Sequence, residues 1–359
     1  MTDLLKEEID LKTIKKMAVL LKLQHAGFNA ENFVAACMTA NWEELALKKR
    51  IRQVAQTLHD QLALPYSEAI DVLKPVSNEF NGLFHFIFSD YVELYGLEDF
   101  QTSMQALELF TQNSTAEFAI RPFLQKQPEQ TKQQMLLWSM SDKHHLRRLA
   151  SEGVRPKLPW AKHLPWIGEN PEWVRPILQN LKDDDSRYVQ KSVANLLNDL
   201  SKTQPDWVLD ICREWSFHVT KATLWIIKHG LRTLLKQGNS EALRLLGYGA
   251  VNSIRLNRWQ LADRVIIGDK LQGEFVLISE KALGKLRVEY ALYFLRKQHA
   301  PYRKVFKIAE SDDLLKCKTF RLTHNFKRIT TRKYIPGLHK IELIVNGQVL
   351  KSAQFELHN

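Results

Sequence analysis

Apolar residues recur every three or four positions along the chain up to about residue 255, which is the period of a helix with one buried face. The stretches that show this best are AENFVAACMTA, LKKRIRQVAQTLHDQL, TSMQALELFTQ and TKQQMLLWSM. Polar or proline-containing breaks separate them. The pattern therefore predicts one helix after another over this part of the chain.

The helical part contains an internal repeat. KHHLRRLASEG (143–153) and KHGLRTLLKQG (228–238) share Lys, His, Leu, Arg, Leu and Gly at the same offsets, and they start 85 residues apart (228 minus 143). RYVQKSVANLLNDL (187–200) lies between them and fits the same helix type, which gives a period of about 42 residues. This period is typical of HEAT and armadillo solenoids, whose stacked helix pairs leave a concave polar surface for binding.

From about Val265 the apolar pattern changes to a period of two. The strand-like stretches are GEFVLI, KLRVEYALYF, RKVFKI, KTFRLTHNF, KIELIV and QVLKSAQFEL. Asn346-Gly347 predicts a hairpin turn between the last two of them, and about seven strands in about 95 residues indicate an immunoglobulin-type sandwich. The predicted fold is mainly α, a HEAT-like α-solenoid over residues 1–255, followed by an all-β immunoglobulin-like sandwich over residues 262–359.

Positive charge is concentrated in the predicted sandwich. Residues 258–359 contain 20 Lys and Arg against 10 Asp and Glu, whereas the preceding 257 residues contain 31 against 30. The basic runs are RKVFK (303–307), KCKTFR (316–321) and KR…RK (327–333). A field of this kind suits a polyanionic partner such as DNA, and a simple solubility role is the alternative.

Several other classes of protein are disfavoured. No apolar run approaches the roughly 18 residues of a transmembrane helix, and MTDLLKEEIDLKTIKK lacks the apolar core of a signal peptide. Cys37, Cys212 and Cys317 are far apart and match no metal-ligand or redox spacing. Nucleotide-binding, zinc-hydrolase, serine-hydrolase and zinc-deaminase motifs are also missing. We therefore expect a cytoplasmic, monomeric protein without a metal or other cofactor.

Polar residues spaced four apart form stripes on the repeat helices. The stripes are Arg187, Lys191, Asn195 and Asp199, then His144, Arg148 and Glu152, and in the third copy His229, Thr233 and Gln237. Glu152 and Asp199 fall in the last turn of their helices, where an exposed carboxylate costs about 0.3–1 kcal/mol. Two interpretations remain open: an Arg148–Glu152 ion pair that offsets this cost, or two carboxylates placed to meet a cation that DNA delivers.

Two neighbouring segments add candidate residues. Ser114-x-x-Glu117 fits a capping box, which favours a structural role for Glu117. GVRPKLPW follows Glu152, and its glycine and prolines predict a helix end and then an extended path with Trp160 at its tip. The cations on this path are Arg155, Lys157 and Lys162. Such a segment suits backbone clamping together with contact to a sugar or base.

Three runs of the helical part resemble the AlkC-type DNA alkylation repair glycosylases, which are relatives of the AlkD type. The runs are SDYVELYGLEDFQTSMQALELFTQNSTAEFAIRPFL, HHLRRLASEGVRPKLPWA and RYVQKSVANLLNDLSKTQPDW. The resemblance extends over most of residues 1–250, and LRRLASEGVRPKLPW is a specific string. Some AlkC-type proteins carry an immunoglobulin-like domain after the repeats, and residues 265–359 are similar in size and strand pattern.

The resemblance implies a monofunctional glycosylase that hydrolyses the N-glycosidic bond of cationic alkylated bases, 3-methyladenine and 3-methylcytosine, in double-stranded DNA without base flipping. It implies that Glu117, Glu152 and Asp199 are active-site acids and that Trp160 lies beside the target deoxyribose. The residues predicted to bind DNA are Arg147, Arg148, Arg155, Lys157, Lys162, Arg187, Lys191 and Arg232. A bacterial protein associated with the nucleoid through DNA follows from this function.

The chemistry agrees with this residue set. A base methylated at N3 is already a cation, so it leaves as a neutral base, and the sugar becomes an oxocarbenium-like cation. The enzyme must then supply negative charge aimed at the sugar, and a positioned water. Two other functions remain possible: a non-catalytic HEAT-repeat scaffold that binds nucleic acid or protein, and an RNA-binding helical repeat. The acids differ between repeats, which disfavours the regular code of the second.

Overall fold

The structure is a computed structural model that describes residues 5–328 and 333–359. Its helices are α1 (Leu11–Gln24), α2 (Ala30–Cys37), α3 (Leu47–Leu62), α4 (Tyr66–Ser77), α5 (Phe86–Tyr95), α6 (Phe100–Phe110), α7 (Ile120–Lys126), α8 (Pro128–Ser139), α9 (His144–Glu152), α10 (Pro165–Glu169), α11 (Arg175–Leu181), α12 (Arg187–Leu200), α13 (Pro205–Trp215), α14 (Lys221–Gly230), α15 (Arg232–Gln237) and α16 (Ser240–Leu245). Short 3₁₀ turns lie at Trp42–Glu44, Glu172–Val174 and Ser216–His218. The predicted succession of helices is confirmed.

The predicted repeat units stack in two layers. α8 packs on α11 in one layer, and α9 packs on α12, which packs on α14, in the other. The apolar face of α12 is fully buried, as its spacing predicts, through Val193, Leu196 and Leu200. The prediction that the third copy of the repeat is one continuous helix is wrong, because α14 ends at Gly230 and α15 starts at Arg232. Its polar stripe is therefore split between two helices.

The strands are β1 (Ile254–Leu261), β2 (Arg264–Ile266), β3 (Lys270–Ser279), β4 (Gly284–Phe294), β5 (Tyr302–Asp313), β6 (Cys317–Asn325), β7 (Gly337–Val345) and β8 (Gln348–His358). They form a three-stranded sheet in the order β1-β3-β6 and a five-stranded sheet in the order β2-β8-β7-β4-β5. Apolar side chains of both sheets share one core, so the predicted sandwich is present. Asn346 and Gly347 have φ angles of +45° and +81° and make the predicted hairpin turn.

The sheet begins earlier than the sequence pattern predicts, at Ile254 rather than at about Val265. The reason is that β1 has a bulge between Leu256 and Arg258, which interrupts the alternation of apolar residues that identifies a strand. In the basic runs, alternation places Arg321 outward and Phe320 inward, as expected. Arg332 of the third run lies outside the described residues.

The chain divides into two compact units, one of Met1–Gln204 with His218–Gly230 and one of Pro205–Phe217 with Leu231–Asn359. Helices α13, α15 and α16 therefore group with the sandwich. Within this second unit, Asn346 Nδ2 donates a hydrogen bond to the Gly249 carbonyl at 2.9 Å. The division into domains at residues 255 and 262 stays a prediction. Among the described helices, none is long and apolar enough to cross a membrane.

Candidate active site

The first unit brings together the three acids that the sequence singled out. Glu117 lies in a turn before α7, Glu152 is the last residue of α9, and Asp199 is the next-to-last residue of α12. Their exposed fractions are only 8%, 5% and 6%. Two arginines, Arg148 and Arg155, form ion pairs with them and connect all three. The stack of α9 on α12 therefore builds one buried charge cluster from residues that are distant in the chain.

Arg155 bridges the two helix-terminal acids. Its Nη1 lies 2.5 Å from Glu152 Oε1, while its Nε and Nη2 each lie 2.8 Å from Asp199 Oδ2. Burial acts to lower the pKa of this guanidinium, but the charges of Glu152 and Asp199 outweigh burial and raise that pKa. The planar fork thus fixes both carboxylates against one permanently charged group.

Arg148 connects the third acid to the others. Its guanidinium pairs with Glu117, and its Nη1 donates to Thr115 Oγ1 at 2.6 Å, while Thr115 Oγ1 in turn lies 2.8 Å from Glu117 Oε2. The Arg148–Glu152 distance is 3.8 Å, so the ion pair considered from the spacing is only a secondary contact. The ring of Tyr188 lies 5.0 Å from Arg148, and burial raises the pKa of its hydroxyl.

The acids differ in how many of their oxygens are occupied. Asp199 uses both, since Lys202 Nζ lies 2.9 Å from Oδ1 and Arg155 binds Oδ2. Glu117 and Glu152 receive their arginines on one oxygen each. Within residues 5–328 and 333–359, the second oxygen of each glutamate has no hydrogen-bond partner, and neither atom is among the buried unpaired ones. These two oxygens are therefore open acceptors.

The capping box predicted at Ser114 and Glu117 is wrong. The helix starts three residues after Glu117, at Ile120, and Ser114 Oγ donates to the Gly82 carbonyl at 2.8 Å instead. The Glu117 backbone N–H donates to Thr115 Oγ1 at 3.3 Å. Ser114 therefore forms no capping box with Glu117. The Glu117 carboxylate pairs with Arg148 instead.

The segment 153–162 is a series of turns and not the extended path that was predicted from its prolines. Arg155 points inward from it and is 8% exposed, whereas Lys157 and Lys162 are exposed as expected. Trp160 is 55% exposed and has a φ of +64°. A positive φ costs a residue with a side chain about 1–3 kcal/mol, which the surrounding contacts must offset. An exposed aromatic ring is thus held in a strained backbone.

Arg147 has a different environment from its neighbour Arg148. Its Nε lies 2.6 Å from Asp184 Oδ2, its Nη2 lies 3.0 Å from Asp185 Oδ1, and its Nη1 donates to two backbone carbonyls, of Ser141 and Asp142. These contacts tie the start of α9 to the turn before α12. They give Arg147 a structural role, and its contact with DNA stays a prediction.

The remaining predicted cations are distributed over both units. Arg187 is exposed on α12 and stacks on the Trp225 ring, with the guanidinium carbon 3.3 Å from the ring centroid. Lys191 is exposed one turn further along the same helix. Arg232 lies in α15 of the second unit. Arg187, Lys191 and the loop lysines therefore belong to the unit that holds the acids.

Several residues in the cluster or next to it were not identified from the sequence. They are Thr115, Arg121, Tyr188 and Lys202. Two of them follow an acid at a spacing typical of helical ion pairs, Arg121 four residues after Glu117 and Lys202 three residues after Asp199. The spacing of Lys202 from Asp199 could therefore have identified Lys202 from the sequence. Thr115 and Tyr188 take part through tertiary contacts that no local pattern indicates.

Comparisons with known proteins identify the family of this chain. A family model described as DNA alkylation repair enzyme matches residues 89–234, and a model described as the C-terminal Ig-like domain of the uncharacterised protein YhaZ matches residues 255–359. YhaZ of Bacillus subtilis (strain 168) is 41% identical over 355 residues, which are 98% of this chain and 99% of YhaZ.

A solved structure matches over the whole length as well. Pseudomonas fluorescens alkylpurine DNA glycosylase AlkC, bound to DNA containing an abasic site analogue, is 36% identical with a TM-score of 0.92, and the match covers 99% of both chains. The immunoglobulin-like class of the sandwich and the AlkC resemblance are thereby confirmed. This chain belongs to the DNA alkylation repair enzyme family and is of the AlkC type.

Proposed function

We propose that this protein is a monofunctional DNA glycosylase that hydrolyses the N-glycosidic bond of cationic N3-alkylated bases in double-stranded DNA. The observation that carries the proposal is the buried pair of Glu152 and Asp199 bridged by Arg155. It occurs in a chain that matches a DNA glycosylase over 99% of both lengths. 3-Methyladenine and 3-methylcytosine are the expected products.

The reaction needs little acid catalysis. The alkylated base carries a positive charge, takes the electrons of the glycosidic bond and leaves as a neutral molecule. Positive charge then develops on the deoxyribose, as in glycoside hydrolysis in general. Fixed carboxylates beside the sugar stabilise this charge because they need not reorganise during the reaction. Unmodified purines are spared since their leaving group is poor.

The three acids have different proposed roles, which depend on which of their oxygens have no hydrogen-bond partner among the described residues. Glu152 Oε2 is available to orient the attacking water and accept its proton while the water oxygen bonds to C1′ of the sugar. Asp199 has both oxygens engaged, so it supplies negative charge and fixes Arg155. Glu117 has an open oxygen and extends the negative field through its pair with Arg148. Trp160, exposed on its strained turn, contacts the deoxyribose of the lesion.

DNA is the proposed partner. The exposed cations Lys157, Lys162, Arg187 and Lys191 belong to the unit that holds the acids. The Arg187 guanidinium lies over the Trp225 ring, so little side-chain entropy is lost when it meets a phosphate. Phosphate contacts of this kind position a protein on the duplex without reading its sequence. The sandwich adds its own excess of cations to the same partner.

The function is tested by incubating the protein with methylated duplex DNA and separating the released bases by chromatography. We expect free 3-methyladenine and 3-methylcytosine without strand cleavage, and equal release in EDTA. Unmethylated DNA of the same sequence is the control and should release no base. A protein that binds both duplexes and releases nothing would be a non-catalytic scaffold, and direct strand breaks would contradict a monofunctional enzyme.

A further inference from the structure

Arg121 is a buried cation whose hydrogen bonds all go to backbone carbonyls. Its Nη1 donates to the Gly153 and Arg155 carbonyls at 2.9 Å each, and its Nε and Nη2 donate to the Lys162 carbonyl at 3.0 and 2.7 Å. The side chain belongs to a residue that is 3% exposed. No described carboxylate lies within 4.0 Å of it, although Glu117 is close enough to act through its charge.

This arrangement is energetically costly. Burial and, to a smaller extent, the charge of Arg155 together lower the pKa of the Arg121 guanidinium to about 10, against the opposite effect of Glu117. Arg121 is still charged at neutral pH. A buried charge without an ionic partner is retained only where its hydrogen bonds are well formed. The role of Arg121 is therefore to make these four hydrogen bonds to backbone carbonyls.

The three carbonyls lie at the two ends of one loop. Gly153 and Arg155 start the segment after α9, and Lys162 ends it just before α10, so a single guanidinium closes the loop. The loop carries Arg155, which bridges the acids, and Trp160, whose backbone is strained. Lys48 Nζ adds a second clamp, because it donates to the Trp160 carbonyl at 2.6 Å.

We propose that Arg121 is a positioning residue for base excision, because it fixes the 153–162 loop and thereby sets Arg155 and Trp160 relative to the acids. Arginine is required here since its planar fork reaches both ends of the loop at once, whereas the three donors of lysine project from one nitrogen. The consequence for excision rests on the proposed function. The consequence for the loop itself does not.

The test compares Arg121→Lys with Arg50→Lys. Arg50 is the control, because it is 1% exposed and also donates to backbone carbonyls, those of Lys6 and Ile9, although it pairs with Glu43 as well. We expect Arg121→Lys to slow single-turnover excision at saturating enzyme by about 10²-fold, the scale of a 1 Å misplacement of reacting groups. Trypsin should cleave after Lys157 and Lys162 at least tenfold faster than in the unaltered protein. Arg50→Lys should change neither rate by more than about twofold once it is corrected for the folded fraction.

A second variant covers the case in which lysine at position 121 keeps part of the role of the arginine. In Arg121→Ala, guanidinium chloride at about 50 mM should restore excision and trypsin resistance, and sodium chloride at the same concentration should not. Unchanged excision in Arg121→Lys and Arg121→Ala overturns the proposal, and so does slower excision without faster loop cleavage. If the unaltered protein releases no base at all, the proposed function fails, and the cleavage rates still decide whether Arg121 fixes the loop.

Discussion

Arg155 contacts Asp199 through two of its nitrogens, with Nε and Nη2 both 2.8 Å from Oδ2. Asp199 and Glu152 each lie at the C-terminal end of a helix, where the partial negative charge of the backbone disfavours a carboxylate. One buried guanidinium offsets that cost for both acids. The two carboxylates are therefore held at positions that a stable helix alone would not select, and the proposed function gives a reason for keeping them there.

Arg155→Lys tests whether the geometry of this bridge matters beyond its charge. Lysine keeps the positive charge but cannot bind Glu152 and Asp199 with separate nitrogens in one plane. We expect excision to fall by about 10²-fold while the far-ultraviolet circular dichroism spectrum is unchanged. Single-turnover rates at saturating enzyme measure this, and a variant with the full rate would show that charge alone suffices.

The helices and the sandwich could be predicted from the sequence because each has a local pattern. The period of α12 and the Asn346-Gly347 turn are examples. The third copy of the repeat failed for a different reason. Its residue pattern matches 143–153, but the helix is interrupted at Leu231, between α14 and α15, where the chain passes from the first compact unit to the second.

The site shows the same division between local and tertiary causes. The sequence placed Glu117 in a capping box, yet Ser114 bonds to Gly82, which is 32 residues away in the chain. Arg121 could not be recognised as a loop clamp, since its partners are carbonyls 32 to 41 residues away. Backbone acceptors occur at every residue, so no sequence pattern identifies which of them a buried arginine will bind.

His85 should make the stability of the protein depend on pH. It is fully buried beside Phe88, neither ring nitrogen has a hydrogen-bond partner among the described residues, and burial lowers its pKa from 6.5 to about 4. The unfolded chain takes up a proton on this histidine near pH 6.5, and the folded chain does not. The contribution of neutral His85 to the free energy of unfolding is therefore fully present above pH 6.5 and is lost as the pH falls towards 4. The loss should reach about 3 kcal/mol.

The measurement is urea unfolding at pH 8 and at pH 4.5 for the unaltered protein and for His85→Leu. The difference in free energy of unfolding between the two pH values should be smaller in the variant by about 2–3 kcal/mol. His218→Asn, a change at an exposed histidine, is the control. Equal pH dependence in His85→Leu and the unaltered protein would show that His85 is not buried in its neutral form.

Lys157 and Lys191 should contact phosphates, since both are exposed in the unit that holds the acids. Replacing either with Ala should weaken binding to any duplex and reduce the slope of log affinity against log salt by about 1. Lys12→Ala, an exposed lysine on α1, should leave the slope unchanged. Fluorescence anisotropy at several salt concentrations gives these slopes, and an unchanged slope in Lys157→Ala and Lys191→Ala would remove both from the interface.

The sandwich should bind DNA through the exposed lysines of its basic runs. Lys304, Lys316 and Lys327 each come from a different run and are all exposed. Their triple replacement with Gln should reduce the salt slope by about 2–3, and excision should fall at low enzyme concentration and recover in part at saturating enzyme. Should the slope stay the same on the same duplex, the basic surface serves some other partner.

The account depends most on Glu152 and Asp199, and the direct measurement is single-turnover release of 3-methyladenine by Glu152→Gln and Asp199→Asn. Loss of one preorganised charge should cut the rate by about 10²–10³-fold, with DNA affinity equal or slightly higher because a carboxylate near phosphates repels them. Glu289→Gln is the matched control, a buried acid paired with Arg287 in the sandwich. It should lower the melting temperature and keep the rate. If Glu152→Gln and Asp199→Asn behave like Glu289→Gln, with full rates and only lower stability, the acids are structural ion pairs and the proposed mechanism is wrong.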